Sequence, residues 1–300
     1  MEYEPYDAQK ELILLKKQSV EMQDLLNKNR RLGHAYIIKK LDNCYKTTKL
    51  TDNRIDQQKQ SCDSPYCPIC TEVHKIRREM AIAKGVVNKI FASQHLGNGK
   101  TSVPTLRIVT LTGPRVLIGQ VDDALALIKQ NYKAFLNTEM KKESGKIVSI
   151  QQSLLGNSAY FHISLSDDYL GNPTIGVDLH AIWLLKPSFA TNNSITRKMI
   201  KKYWRVINAE QYSLETTCDT MPTTYNEFRK QCKNGLKRFD FDEIIANPKK
   251  FVAVMPYLHK KKFSIHNGAL KQYRKEVRDN HDKQRINDLV AALDAEENED

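Results

Sequence analysis

No run of about 18 apolar residues occurs in this 300-residue chain, and its mean hydropathy is −0.56, which excludes a helical membrane span. The opening Met1-Glu-Tyr-Glu-Pro-Tyr6 has neither the basic start nor the apolar stretch of a secretory signal, so no export is expected. Six cysteines are too few for a disulfide scaffold, and the expected compartment is a reducing cytoplasm. Acidic groups are in deficit: 35 Asp and Glu face 47 Lys and Arg, a formal charge of +12. A basic cytoplasmic protein calls for a polyanionic partner, nucleic acid first. With 40% hydrophobic residues the chain can bury a real core, as one large domain or two modest ones.

The charge is unevenly placed. The last ten residues hold five acidic groups (Asp294, Glu296, Glu297, Glu299, Asp300) and no basic one; without them the first 290 residues carry +17. Residues 281–300 therefore read as a disordered acidic tail, solubilising or competing with DNA for the basic surface. Positive charge gathers after residue 196, at Arg197-Lys198, Lys201-Lys202, Arg229-Lys230, Lys237-Arg238, Lys260-Lys261-Lys262 and Arg274-Lys275. Tyr203, Trp204, Phe239, Tyr257, Phe263 and Tyr273 lie among these runs. Lysine and arginine contact phosphates, and flat rings stack on unpaired bases. The plainer reading of any one run is a solvated helix face beside core aromatics.

Apolar residues at three- and four-residue spacing predict helices over Ala8–Arg31, Lys75–Phe91, Val121–Lys141 and Asn193–Asn208, and one over Phe241–Val254 interrupted near Pro248. Leu106–Thr112 is a β-branched strand stopped by Gly113-Pro114. Ala159–Ser166 and Ile175–Leu185 read as two further strands, joined by a turn-prone stretch into a hairpin beside the first. The expected class is α+β: a mostly antiparallel sheet with packed helices, preceded by a helical region bearing cysteines.

That region carries the strongest local signal. Cys62-Asp-Ser-Pro-Tyr-Cys67-Pro-Ile-Cys70 spaces three thiols by four and two residues in a turn-rich segment. Thiolates two residues apart can share one tetrahedral ion, and zinc suits a closed thiolate site. The fourth ligand is either Cys44, which is preferred, or His74. Cys218 and Cys232 read as ordinary thiols.

Five segments in order then resemble rolling-circle plasmid replication initiator proteins. They are the knuckle Cys67-Pro-Ile-Cys70 with Lys75-Ile-Arg77-Arg78, the strand Ile108-Val-Thr110-Leu-Thr112, and Val177-Asp178-Leu-His180 through Lys186-Pro187-Ser188. Trp204-Arg205-Val-Ile and Leu258-His259-Lys260 through Gly268-Ala-Leu-Lys271 complete the set. The resemblance spans about residues 40 to 275 and implies a domain division. Residues 1–97 would form a helical region with a zinc knuckle at 44–74, and 98–280 a DNA-binding, nickase-like domain. It also implies origin DNA, single-stranded or as a hairpin, as partner, with host replication proteins as further ones.

In that family two histidines at i and i+2 of a strand hold Mg or Mn, and a helix tyrosine attacks the scissile phosphate. Here the strand reads Asp178-Leu-His180, a pair that can still bind either metal. The alternative is a solvent-facing Asp178 and a hydrogen-bonded core His180. His162 on the preceding strand is a third ligand or a core histidine. The family's Lys-Tyr-x-x-Lys aligns with Lys233-Asn234-Gly-Leu-Lys237, which puts an amide where the nucleophile belongs. Tyr257, with Tyr-x-x-Lys spacing to Lys260, and Tyr225 are the substitutes, and Lys237 would stabilise the transition-state charge. Two functions follow as expectations: an initiator that nicks its origin, or a degenerate relative that binds DNA without cutting it.

Overall fold

The computed structural model describes residues 8–28, 39, 41, 44, 50–51, 54–55, 62, 64, 66–95, 104–142, 144–186, 195–208, 216–219, 236, 239–258 and 261–279. Tyr225, Arg229, Lys230, Asn234, Lys237, Arg238, Lys260 and the tail 281–300 lie outside them, as does the side chain of His74.

The chain is α+β, built on a six-stranded antiparallel sheet with packed helices. In chain order the elements are α1 (Ala8–Lys28), the short β1 (Leu50–Thr51) and β2 (Arg54–Ile55), a π-turn at Cys70–Lys75, and α2 (Ile76–His95). Next come β3 (Thr105–Leu111), β4 (Arg115–Leu117), α3 (Val121–Asn137), β5 (Glu139–Lys141), β6 (Ile147–Ser149) and α4 (Ile150–Ser153). The long hairpin β7 (Leu154–Asp167) and β8 (Pro173–Leu185) is followed by α5 (Arg197–Ile207) and β9 (Thr216–Asp219). The described chain closes with α6 (Phe241–Ala246), α7 (Pro248–Leu258), β10 (Ser264–Asn267) and α8 (Gly268–Asp279).

Strand order is β10-β7-β8-β3-β9, with β4 also on β8, so the predicted hairpin does lie beside the first strand. Side chains alternate between the two faces of a strand. One face is apolar along its length: Val109, Leu111, Phe161, Ile163, Leu165, Val177, Leu179 and Trp183 join α1, α3, α5, α6 and α7 in one core. The other face is apolar at one end only, where Leu106, Ile108, Ile182 and Leu184 meet Ile76, Met80 and Val86 of α2 and Leu270 and Tyr273 of α8. Helices from both sides of residue 97 therefore share the cores of this sheet.

Three predicted boundaries shift for local reasons. The helix expected to reach Lys141 ends at Asn137, where the N–H of Thr138 bonds back to the Phe135 carbonyl, and 139–141 instead pairs with 147–149. The helix expected from Asn193 starts at Arg197, after Thr196 caps it by accepting from the Met199 N–H. The interruption near Pro248 separates two helices, and the second continues to Leu258.

Candidate metal centre and the polar face of the sheet

Tyr66 and the turn around it set the cysteines. The N–H of Cys67 bonds to the Ser64 carbonyl, Thr71 N–H bonds to the Cys67 carbonyl, and Cys70 N–H points at Cys67 Sγ at 3.5 Å. The chain enters a π-turn at Cys70, an added residue that re-aims the side chains before α2 begins. The Tyr66 ring stacks on Phe239 at 5.6 Å and meets Phe251 edge-on at 6.1 Å, which fastens the cluster to the apolar-face core.

Four thiols converge there. Cys44 Sγ lies 3.5 Å from Cys67 Sγ and 3.4 Å from Cys70 Sγ, and Cys62 Sγ lies 3.5 Å from Cys70 Sγ. All four sulfurs fall within 4.8 Å of one another, close enough to hold one metal ion. Sulfurs at about 2.3 Å from a tetrahedral zinc stand roughly 3.8 Å apart, so the donor set and its spacing fit that ion. The four thiols are free, with Cys67 and Cys70 buried. Cys44, the preferred candidate for the fourth position, is brought into the cluster. Mutual hydrogen bonding splits the set: Cys44 pulls Cys62 and Cys70 below the usual thiol range, while contact with Cys62 and Cys44 respectively raises Cys44 and Cys67.

The second group of ligand-type residues lies on the polar end of the sheet. Register pairs His162 with Asp178 and Tyr160 with His180, so all four share a face. The His162 and His180 rings meet edge to face at 5.8 Å. His180 Nδ1 is 3.0 Å from Thr110 Oγ1, and burial together with the charge of His162 pushes its pKa down to about 3. Asp178 accepts from the Gly113 N–H at 3.2 Å; burial raises its pKa, against the opposing effects of that N–H and Arg115. Only glycine fits at 113, since a Cβ would sit 2.0 Å from the Val177 carbonyl oxygen. Among the described residues the cysteines are the only group of three or more ligand residues whose donor atoms meet, so Asp178, His180 and His162 do not.

Beside this row lies a cluster that the motifs did not point to. Tyr160 donates to Glu79, Arg274 pairs with the same carboxylate, and Arg274 Nη2 is 2.8 Å from the Tyr160 oxygen. Burial alone would raise Glu79, but Arg274 and Tyr160 hold it below the ordinary carboxylate range. Burial and the Glu79 charge push the Tyr160 phenol well above its usual value, so it stays protonated at neutral pH. His266 meets the Tyr160 ring at 5.7 Å, and its Nδ1 is 2.9 Å from Ser158 Oγ. The signal was present in the alternation Ser158-Ala-Tyr160-Phe-His162-Ile-Ser164, which puts every second, polar residue on one face.

The remaining site candidates are dispersed. Tyr257 is 42% exposed on α7, whose Phe251, Val254, Met255 and Leu258 pack in the apolar-face core, so the sheet stands between it and Asp178–His180. Lys261 pairs with Asp122 at 2.8 Å, and Lys262 is exposed. On α5, Ile200 and Trp204 are buried while Lys198, Lys201, Lys202 and Arg205 face outward. This helix edges a cleft of about 580 Å³ whose lining includes Lys141, Lys142, Lys198, Lys202 and Tyr203. Among the described residues no helix is long and apolar enough to cross a membrane. Comparison with protein-family models, curated proteins and solved structures gave no match in any of the three.

Proposed function

We propose that this chain is a plasmid replication protein that binds single-stranded origin DNA, with zinc held by Cys44, Cys62, Cys67 and Cys70 as a structural ion. The observation that carries the reading is the basic cleft, where lysines of α5 and of the β5 strand end surround Tyr203. Lysines there would contact successive phosphates, and Tyr203 offers a ring for a base. Zinc would supply no chemistry; it would cross-link the segment around Cys44 to the start of α2.

The test is binding of a labelled single-stranded origin oligonucleotide across a salt series. Lys201→Glu with Lys202→Glu should weaken binding and lower the salt slope by about 0.7 for each phosphate no longer neutralised. An unchanged slope would remove this surface from the function.

A second reading, origin nicking, is favoured by the His162–His180 ring pair beside Asp178. The donor types suit Mg or Mn, but the three groups do not meet. Tyr225 would be its nucleophile in preference to Tyr257, which lies against the opposite face. A 5′-linked DNA adduct that disappears in Tyr225→Phe would establish nicking; its absence with Mn and origin hairpins would leave the binding role alone.

A further inference from the structure

On the apolar-face side of the sheet, away from both ligand groups, a cavity of about 700 Å³ opens between α3, the start of β7, β10 and the start of α8. A volume of this size suits a small organic ligand. Its lining divides by chemistry. Lys129 and Lys133 stand one helical turn apart on α3, and Leu136, Leu154, Leu155 and Ile265 supply half-buried apolar wall. Asn137, Gln151 and Asn267 bring exposed amides to the same space.

The floor is held rigidly. Tyr132 donates to Asn157 Oδ1 at 3.3 Å and accepts from Trp183 Nε1 at 3.0 Å. Gly268, at φ +59°, lets α8 begin directly over β7, where a Cβ would strike the Leu155 carbonyl oxygen at 2.3 Å. Positive charge is crowded at the rim. Burial lowers the Lys129 pKa, and the neighbouring Lys261 and Lys262 lower it further, with Asp122 opposing them. The Lys129 ammonium sits 5.4 Å from the Phe161 ring centre.

We propose that this cavity binds a nucleotide, its phosphate at Lys129 and Lys133, its base against Leu136, Leu154 and Ile265, and its base edge at the amides of Asn137, Gln151 and Asn267. An anion at Lys129 relieves the repulsion it meets from Lys261 and Lys262. A flat heteroaromatic ring matches the apolar wall, and amides both donate and accept, as a base edge requires. The nucleotide is either free or one unstacked unit of a single strand. The site is separate from the α5 cleft and does not rest on it.

The test titrates the full-length protein with deoxyadenosine monophosphate, deoxyadenosine, inorganic phosphate and a short single-stranded oligonucleotide, read by calorimetry. The monophosphate should bind at least tenfold more tightly than deoxyadenosine or phosphate. Lys129→Met and the exposed Lys133→Met should each weaken binding by about tenfold, the scale of a charged hydrogen bond. Leu136→Trp fills the cavity at constant charge and should abolish monophosphate binding, whereas Lys249→Met, at an exposed position of α7, should leave it unchanged. If only the oligonucleotide binds, with the same sensitivity to Lys129, Lys133 and Leu136, the ligand is a nucleotide within a strand. Phosphate binding as tight as the monophosphate, or no response of either nucleotide probe to these variants, would overturn the proposal.

Discussion

The cysteine cluster and the imidazole row are made of metal-ligand residue types, yet only one of them converges. Four sulfurs approach to within 3.4–3.5 Å of their neighbours in the cluster, while the row spreads its ligand groups over two strands and gives His180 and Asp178 separate partners. Thr110 occupies His180, and the Gly113 N–H occupies Asp178. A short, turn-rich segment can fold its side chains around one point; a sheet face holds neighbouring positions about 5 Å apart and needs long side chains to bring them together. The first arrangement brings its donors close enough to hold one metal ion. The second keeps polar groups where the sheet could have been apolar, as its other face is.

The largest effect should come from the cluster. With zinc held as proposed, Cys67→Ser or a strong chelator would remove an ion that fastens Tyr66 over Phe239 and Phe251, and cooperative thermal unfolding should disappear. A variant that melts like the wild type would erase the contrast between the two groups.

Next in size is the cluster beside the row. Arg274→Met leaves Glu79 buried without its guanidinium, with Tyr160 as its remaining hydrogen-bond partner among the described residues, and should cost about 3–5 kcal/mol in denaturant unfolding. The double change Arg274→Met, Glu79→Gln should recover much of that, because no charge is then stranded. Equal losses in both variants would mean that packing, and not charge, holds the site.

The row itself should tolerate change. His180→Leu should alter stability by less than about 1.5 kcal/mol, since an apolar side chain gives up one hydrogen bond and gains burial. It should also change the acid limb. His180 has a folded pKa of about 3 against about 6.5 unfolded, so between those values the unfolded chain binds more protons and stability falls as pH falls. His266, at about 4, adds to the same slope. Urea midpoints from pH 7 to 4 should fall less steeply in His180→Leu; an unaltered slope would assign the proton uptake elsewhere. The smallest effect belongs to Lys201→Glu with Lys202→Glu, both exposed, where stability should stay within about 0.5 kcal/mol while DNA binding weakens.

How far each group was legible follows from its geometry. Cys62, Cys67 and Cys70 lie within nine positions, so spacing alone suggested a shared ion; that the preferred Cys44 joins them needed the fold. The hairpin was readable from the alternation in β7 and from the turn residues at 167–173. The pairing of His162 with Asp178 was not, because a one-residue slip of register sends a whole set of side chains to the other face. The β5–β6 ribbon was hidden because Leu136 and Met140 continue the four-residue period of α3 past its cap at Thr138. Glu79 and Arg274 stand 195 positions apart, and nothing local in either segment announces the other.

In the proposed reading the cysteines hold a metal and the imidazole row does not. Metal content per chain, measured on the purified protein alongside Cys67→Ser and the double variant His162→Leu, His180→Leu, tests it directly. One zinc per chain is predicted in the wild type and in the histidine variant, and none in Cys67→Ser. A metal-free wild type, or zinc absent from the histidine variant and kept by Cys67→Ser, would contradict it.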